Sequence, residues 1–260
     1  MERPKIGLAL GSGGARGLSH IGVLKVLEEE KIPIHMIAGS SIGALIGAIY
    51  SAGQNIRAME KVALRLKRKF LLDFTLPKMG FIEGNRIRDF VRMFTYNKNI
   101  EDLDIPTAIV ATDIRTGEKV IFQKGNVADA VRASVAIPGV IVPVKWNGKL
   151  LVDGGVSDRV PVSVVKEMGA DIVIAVDVAG FDTNAQITHI VDVIIQSMDI
   201  MQMEIVKRRE DLSDIMIRPD VVKFGSYSFD RAEELIKAGE DACRNQVAQI
   251  RSLLEHWKET

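Results

Sequence analysis

The residues of this sequence best suited to chemistry fall in three glycine-bearing segments. Gly39-Ser40-Ser41-Ile42-Gly43 has the form G-x-S-x-G. In such an elbow the serine occupies a strained strand-to-helix turn, so its neighbours must be small and its hydroxyl projects outward. Ser41 is thus a candidate nucleophile, with Gly39 and Gly43 as the small residues the turn requires. A serine at this place also suits a plain helix N-cap, and the pentapeptide alone does not choose.

Gly11-Ser12-Gly13-Gly14-Ala15-Arg16-Gly17 is the second segment. A phosphate-binding P-loop would continue into Gly-Lys-Ser/Thr, whereas Gly17-Leu18-Ser19 follows here. A dinucleotide site would place an acidic residue at the end of the next strand, where Gly39-Ser40-Ser41 stands instead. An oxyanion hole remains: consecutive small residues at a helix start can turn several backbone N–H groups toward one point. The third segment, Asp153-Gly154-Gly155, presents a carboxylate after an apolar strand, followed by two glycines that admit a close neighbour. An ordinary Asp-Gly turn has the same pattern. The four histidines are poor candidates for a base. His20 lies in a helix, His35 opens a buried strand, and His256 is near the C-terminus. His189, which follows Asp153 in the Ser…Asp…His order of α/β-hydrolases, has no glycine-framed loop to aim it.

The elements that must hold these segments are legible as apolar runs. Ile6 to Leu10 and Ile34 to Ala38 read as strands covered on both faces, joined by a helix carrying Leu18, Ile21, Val23, Leu24 and Leu27. Strand, helix, strand at this spacing is a βαβ unit, whose loops collect at the carboxyl ends of neighbouring parallel strands. Gly13, Gly14 and Ser41 are then neighbours. Further strands are expected at Thr107 to Thr112, Lys119 to Phe122 and Asp171 to Val178, with a hairpin around Asn147-Gly148 between extended pieces at 140–144 and 149–152. Helices are expected at Arg86 to Phe94, Val127 to Ser134 and just before Met168-Gly169.

Asn55 to Phe70 reads as one helix with Ile56, Met59, Val62, Ala63, Leu66 and Phe70 on one side and Arg57, Lys61, Arg65, Lys67, Arg68 and Lys69 on the other. A basic amphipathic helix suits a solvated face over a core, or peripheral contact with an anionic membrane. Gln186 to about Asp211 reads as a long apolar helix with a methionine-rich face, suited to core packing or to acyl chains. A last helix is expected from about Asp230 to Trp257.

The 260 residues are 47% hydrophobic and 26% charged, with a formal net charge of +0. That balance excludes global disorder and offers nothing for nucleic acid. A single cysteine, Cys243, fits a reducing cytosol. No apolar stretch reaches the ~18 to 20 residues of a membrane span, and the N-terminus has no secretory pattern. With no linker rich in Pro, Gly or Ser, residues 1–260 are read as one domain.

The glycine-rich loop, G-x-S-x-G and D-G-G in this order resemble the patatin-like phospholipase family, particularly its small bacterial members and the catalytic domain of neuropathy target esterase. Ala111-Thr112-Asp113 with Thr116-Gly117, Ala133-Ser134 with Ile137-Pro138-Gly139, and Pro161 after the D-G-G add to the likeness. It extends from about Lys5 to Val178. The resemblance implies an α/β three-layer sandwich with a mainly parallel central sheet flanked by helices. It implies a Ser-Asp dyad with Ser41 as nucleophile and Asp153 as base, and an oxyanion hole from Gly13, Gly14 and Ala15. Arg16, Gly39, Gly43, Gly154 and Gly155 are the supporting positions. Ser12 stands where the family's loop has its first glycine and is left out of the donor set. The implied activity is acyl transfer from phospholipid or lysophospholipid esters to water, with no metal or cofactor, by a cytoplasmic protein that makes peripheral contact with the inner membrane face. A non-catalytic lipid-binding module and a soluble esterase or thioesterase are the alternatives.

Overall fold

In the computed structural model, which describes residues 4–76, 78–178, 180, 187–207 and 212–257, Ile6–Leu10 (β1) is buried throughout. It pairs in parallel with Met36–Ser40 (β2) on one edge and Ile172–Val176 (β7) on the other. Five apolar residues with no polar alternation suit a strand covered on both faces. The strand's two faces differ in size. Ile6, Leu8 and Leu10 join a core with Leu24 and Leu27 of Ser19–Glu29 (α1), Ile46 and Ile49 of Ile42–Ser51 (α2) and Leu235 of Ala232–Arg244 (α8). Ala9 faces Val162, Val164 and Val165 of Val162–Glu167 (α6). Helices therefore cover both faces, giving the three layers.

Among the described residues the sheet has eight strands, paired in the order β5-β6-β3-β2-β1-β7-β8 with β4 as a further partner of β3. Here β3 is Thr107–Asp113, β4 Lys119–Phe122, β5 Val144–Trp146, β6 Lys149–Asp153 and β8 Ile215–Ile217. Pairs β1-β2, β1-β7, β2-β3 and β7-β8 are parallel, while β3-β4, β3-β6 and β5-β6 are antiparallel.

One consequence of the registers positions the site. Strand β4 pairs with residues 109–112 of β3. Strand β2 pairs with 107–110 and β6 with 111–113, so each overlaps β4 in register and both must occupy the opposite edge of β3. On that edge β2 stops at Ser40, opposite Val110, and β6 arrives from the other direction with Asp153 opposite Ala111. The two chains meet end to end, which brings Asp153 to Ser41. Sites in open α/β sheets gather where strand order or direction changes, at the carboxyl ends of parallel strands.

Several boundaries differ from the sequence reading. Strand β2 runs from Met36 to Ser40 and not from Ile34, because His35 is spent on closing the strand start: its Nδ1 accepts the Ile6 amide and its own amide donates to the Ile6 carbonyl. The helix expected over 55–70 is Ile56–Arg65 (α3), capped at its start by Asn55, and Leu66 is extended with ψ 113°. Continuing it would stack Arg65 on Arg68 and Lys69 at helical spacing, which like charges resist. Of the extended piece expected at 140–144, only Val144 is in a strand; the Val140 carbonyl instead accepts the amides of Phe81 and Ile82. The last helix is two, α8 and Val247–His256 (α9), parted by Asn245 and Gln246. Strand β8 had no counterpart in the reading.

Asn85–Phe94 (α4), Val127–Ser134 (α5) and Ile190–Lys207 (α7) complete the helices that bear on the site. Residues 186 and 208–211 of the expected long helix lie outside the described residues, as does Pro77 of an expected turn. The apolar residues of α7 do not share one buried face: Ile190 is 64% and Met201 62% exposed, while Asp199 and Gln202 are buried. The reason is electrostatic, because two arginines lie beneath the helix. Among the described residues no helix is long and apolar enough to cross a membrane.

Candidate active site

Ser41 links β2 to α2 with φ 55° and ψ −123°, a conformation costly for a residue with a side chain. Strain of this kind, of order 1–3 kcal/mol, persists only where surrounding bonds hold it. Three features do so. The Ser41 amide donates to Ser134 Oγ at 2.8 Å, and Ser134 Oγ donates to the Val110 carbonyl at 2.6 Å, tying the turn to β3 and α5. The Ser41 carbonyl accepts the Leu45 amide as the first bond of α2. A Cβ at Gly43 would collide with the Leu10 carbonyl, so only glycine lets α2 start this close to β1. Gly39 lies within β2, paired with Leu10 and Ile109. Ser41 makes no side-chain cap of its helix, leaving its hydroxyl for other work.

That hydroxyl donates to Asp153 Oδ2 at 2.5 Å, a length typical of O–H to a carboxylate. Asp153 is 3% exposed. Its backbone is fixed on both sides, the amide donating to the Ala136 carbonyl and its carbonyl accepting from Thr112 Oγ1. The other carboxylate oxygen accepts the Gly155 amide at 2.7 Å. Gly154 lies against the Val110 carbonyl, where a Cβ would clash. Burial raises the Asp153 pKa from 3.8 to about 6; the Ser41 and Gly155 hydrogen bonds and the charge of Arg159 pull the other way and lose. A serine donating to a buried carboxylate whose pKa lies nearer neutrality is an arrangement for general-base activation.

Gly13 and Gly14 line one small cavity with Ser41 and Asp153. Among the described residues no acceptor receives their amides. Ala15 differs from expectation: its amide donates to the Ser226 carbonyl at 2.8 Å. The loop tightens into a 3₁₀ turn at Gly14–Leu18 that packs under residues 224–226, and that donor is used there. Arg16 is a buried anchor, donating to the carbonyls of Phe224 and Gly180 and pairing with Asp199 of α7 at 3.1 Å.

None of the histidines bonds to Ser41 or Asp153. His20 donates from Nε2 to the Gly11 carbonyl at 2.8 Å, and burial lowers its pKa to about 4, so it holds the glycine-rich loop as a neutral ring. The His189 side chain is 80% exposed and stays with Thr188 and Asp192, and His256 is bonded to Ser252. Among the described residues no group of three His, Cys, Asp or Glu could hold a metal.

Ser41 and Gly14 also line a second cavity, of about 160 Å³, walled by side chains including Leu18, Ile46, Met59, Ile87 and Phe90. An apolar cavity of roughly 150 Å³ in a well-studied lysozyme variant stays dry and takes hydrocarbon. Ser41 stands where this apolar space and the polar one meet.

The patatin-like phospholipase family model matches residues 8–166. The chain belongs to this family. Among its relatives is an uncharacterized NTE family protein of Mycobacterium tuberculosis, 42% identical over 179 residues, which are 68% of this chain and 50% of that protein. Lysophospholipase nte1 of Aspergillus fumigatus is 37% identical over 185 residues, 69% of this chain and 12% of that much longer protein. This patatin-like chain therefore spans half or less of the length of these relatives. Two solved structures share the fold: VipD from Legionella pneumophila, with TM-score 0.54 and 15% identity over 96% of this chain and 67% of its own, and the type III effector ExoU, with TM-score 0.54 and 12% identity over 96% and 53%. All three segments singled out by their chemistry lie within the matched 8–166.

Four positions that matter to the site were not singled out for it by sequence. Ser134 and Thr112 were visible only as parts of family-like strings. Arg159 and Ser226 carry no local signal, since what they touch is distant in the chain.

Proposed function

We propose that this patatin-like protein is a serine acyl hydrolase acting on phospholipid or lysophospholipid esters. Ser41 attacks the ester carbonyl while Asp153 takes its proton. The tetrahedral intermediate collapses as that proton passes to the departing alcohol, and water, deprotonated in turn by Asp153, cleaves the acyl-Ser41 to free acid and Ser41. Gly13 and Gly14 amides stabilise the oxyanion; losing one such donor in known hydrolases costs roughly 10²–10³ in turnover. The observation that carries the reading is the 2.5 Å bond to Asp153 from the Oγ of Ser41, a residue that also lines the apolar cavity. That cavity suits an acyl chain better than a small polar group. The lysophospholipase activity in the name of the fungal relative agrees with this substrate class.

The protein meets its substrate at a lipid surface. Phe70, Phe74 and Leu76 are 59%, 76% and 84% exposed in the connection between α3 and α4, where Lys67, Lys69 and Lys78 are exposed beside them. Leu66, Leu71 and Leu72 of the same connection line the apolar cavity. Exposed large apolar side chains rimmed by lysines suit an anionic membrane interface.

The test is release of fatty acid from lysophosphatidylcholine by the wild type and by Ser41→Ala. The expected result is turnover by the first and only background from the second. Equal turnover by a folded Ser41→Ala overturns the assignment. Cleavage confined to short soluble esters, with no gain when substrate forms micelles, replaces it with a soluble esterase. Absence of both turnover and fluorophosphonate labelling makes it a binding module.

A further inference from the structure

Arg159 follows the D-G-G segment and is 4% exposed. Its carbonyl accepts the Ser12 amide at 2.9 Å, which pins it to the glycine-rich loop. Its guanidinium is used unevenly. Nη1 donates at 2.9 Å to both Asp199 Oδ1 and Gln202 Oε1 of α7, whereas Nε and Nη2 are buried with no acceptor among the described residues. These two nitrogens share one edge of the planar group and carry parallel N–H bonds, a fork that matches two oxygens of a carboxylate or phosphate. Buried donors are nearly always satisfied, and an arginine cannot relieve the cost by losing its proton. The contacts to α7 explain how Arg159 is held; they leave the Nε–Nη2 edge unexplained.

The position of Arg159 gives that edge a use. Arg159 lines the polar cavity shared by Ser12, Gly13, Ser41, Asp153 and Asp199, which has a volume of about 50 Å³. That is room for roughly three to five waters, the scale of one phosphate group. Ser41 thus has an apolar space for an acyl chain and a polar pocket for what the ester joins to it. Asp199 at that pocket is shared by Arg16 and Arg159, which leaves one positive charge in excess beside Asp153. A negatively charged leaving alcohol fits both.

We propose that Arg159 is a substrate-binding residue whose Nε–Nη2 edge takes the phosphate of the leaving alcohol, so that single-chain esters of a glycerophosphate are preferred over neutral monoacylglycerols. This rests on the acyl-hydrolase reading above and adds to it a determinant of substrate choice.

The test compares lysophosphatidic acid with a monoacylglycerol of the same chain length, as monomers, using wild type, Arg159→Gln and Arg159→Lys. Lysine keeps the charge near Asp153 but cannot form the fork. The expected result is that the wild type prefers the lysophospholipid in kcat/KM, and that both variants lose this preference by roughly 10–100-fold. The loss falls mainly on KM, as binding shared by ground and transition states requires. A preference unchanged in both variants overturns the inference, whether the two rates stay level or fall together, since a common fall marks action through the dyad or the fold. A wild type that cleaves neither lipid overturns the acyl-lipid reading along with it. A further measurement needs no variant: glycerol 3-phosphate should compete with p-nitrophenyl butyrate in the wild type, and glycerol should not. Equal effects of the two overturn the inference, as does competition by inorganic phosphate without any lysophospholipid preference.

Discussion

Replacing Asp153 by asparagine should remove activity and at the same time stabilise the protein, by an amount that depends on pH. Burial lifts the Asp153 pKa from 3.8 to about 6, so the folded state keeps a proton that the unfolded chain has already released. Stability therefore declines as pH rises through that window and the carboxylate is forced to ionise inside the protein. Above about pH 7 the whole cost applies: roughly 2 pKa units at about 1.4 kcal/mol each, or about 3 kcal/mol. Asparagine keeps the shape of the neutral acid, can accept the Gly155 amide and carries no charge. Asp153→Asn should be about 3 kcal/mol more stable than wild type at about pH 8, a rise in Tm of roughly 6–12 °C. The advantage should shrink toward zero below about pH 3, under both pKa values, where the wild-type carboxyl is protonated in both states. Thermal unfolding of both proteins across this range measures the difference, and ester hydrolysis by the variant should be at background throughout. The wild-type kcat/KM should fall on the acid side with a midpoint near pH 6. A stability difference that does not vary with pH, or a variant less stable than wild type at pH 8, refutes the argument that burial dominates the charge balance at this aspartate.

Other residues give separate tests. Because Ser41 holds φ 55°, Ser41→Gly should be more stable than Ser41→Ala by about 1 kcal/mol, read from denaturant midpoints, although both are inactive. Ser134→Ala strands the Ser41 amide and the Val110 carbonyl in the interior; it should cost about 1–3 kcal/mol and lower kcat more than it raises KM. Ile46→Trp would fill part of the apolar cavity, so hydrolysis of long-chain p-nitrophenyl esters should fall at least tenfold relative to butyrate, about 1.4 kcal/mol. A uniform loss across chain lengths would detach that cavity from acyl binding.

The layers and most strands were legible because buried parallel strands are continuous apolar runs: Ile6–Leu10 and Ile172–Val176 carry no competing pattern. The elbow and Asp153 were legible for a different reason. Both turns need glycine where another backbone presses close, as at Gly43 against Leu10 and Gly154 against Val110. What was not legible depends on contacts between distant parts of the chain. Ala15 looks like any other member of its loop, and only the arrival of Ser226 takes its amide out of the donor set. The buried face of α7 was not legible because its apolar residues outnumber the polar ones, yet Asp199 and Gln202 turn inward to meet Arg16 and Arg159. A buried charge outweighs several apolar contacts, and periodicity has no means of registering it. The edge β6 shares with β2 was equally hidden, since hairpin signals give no register against a third strand.

The central claim is that Ser41 is activated by Asp153, and covalent labelling tests it most directly. Each protein is treated with a fluorophosphonate, digested, and its peptides weighed. The account predicts an adduct on the Ser41 peptide of the wild type, formed more slowly as pH drops below about 6. It predicts no adduct in Ser41→Ala and greatly slowed labelling in a folded Asp153→Asn. An adduct on another serine, or undiminished labelling of Ser41 in Asp153→Asn, would contradict it.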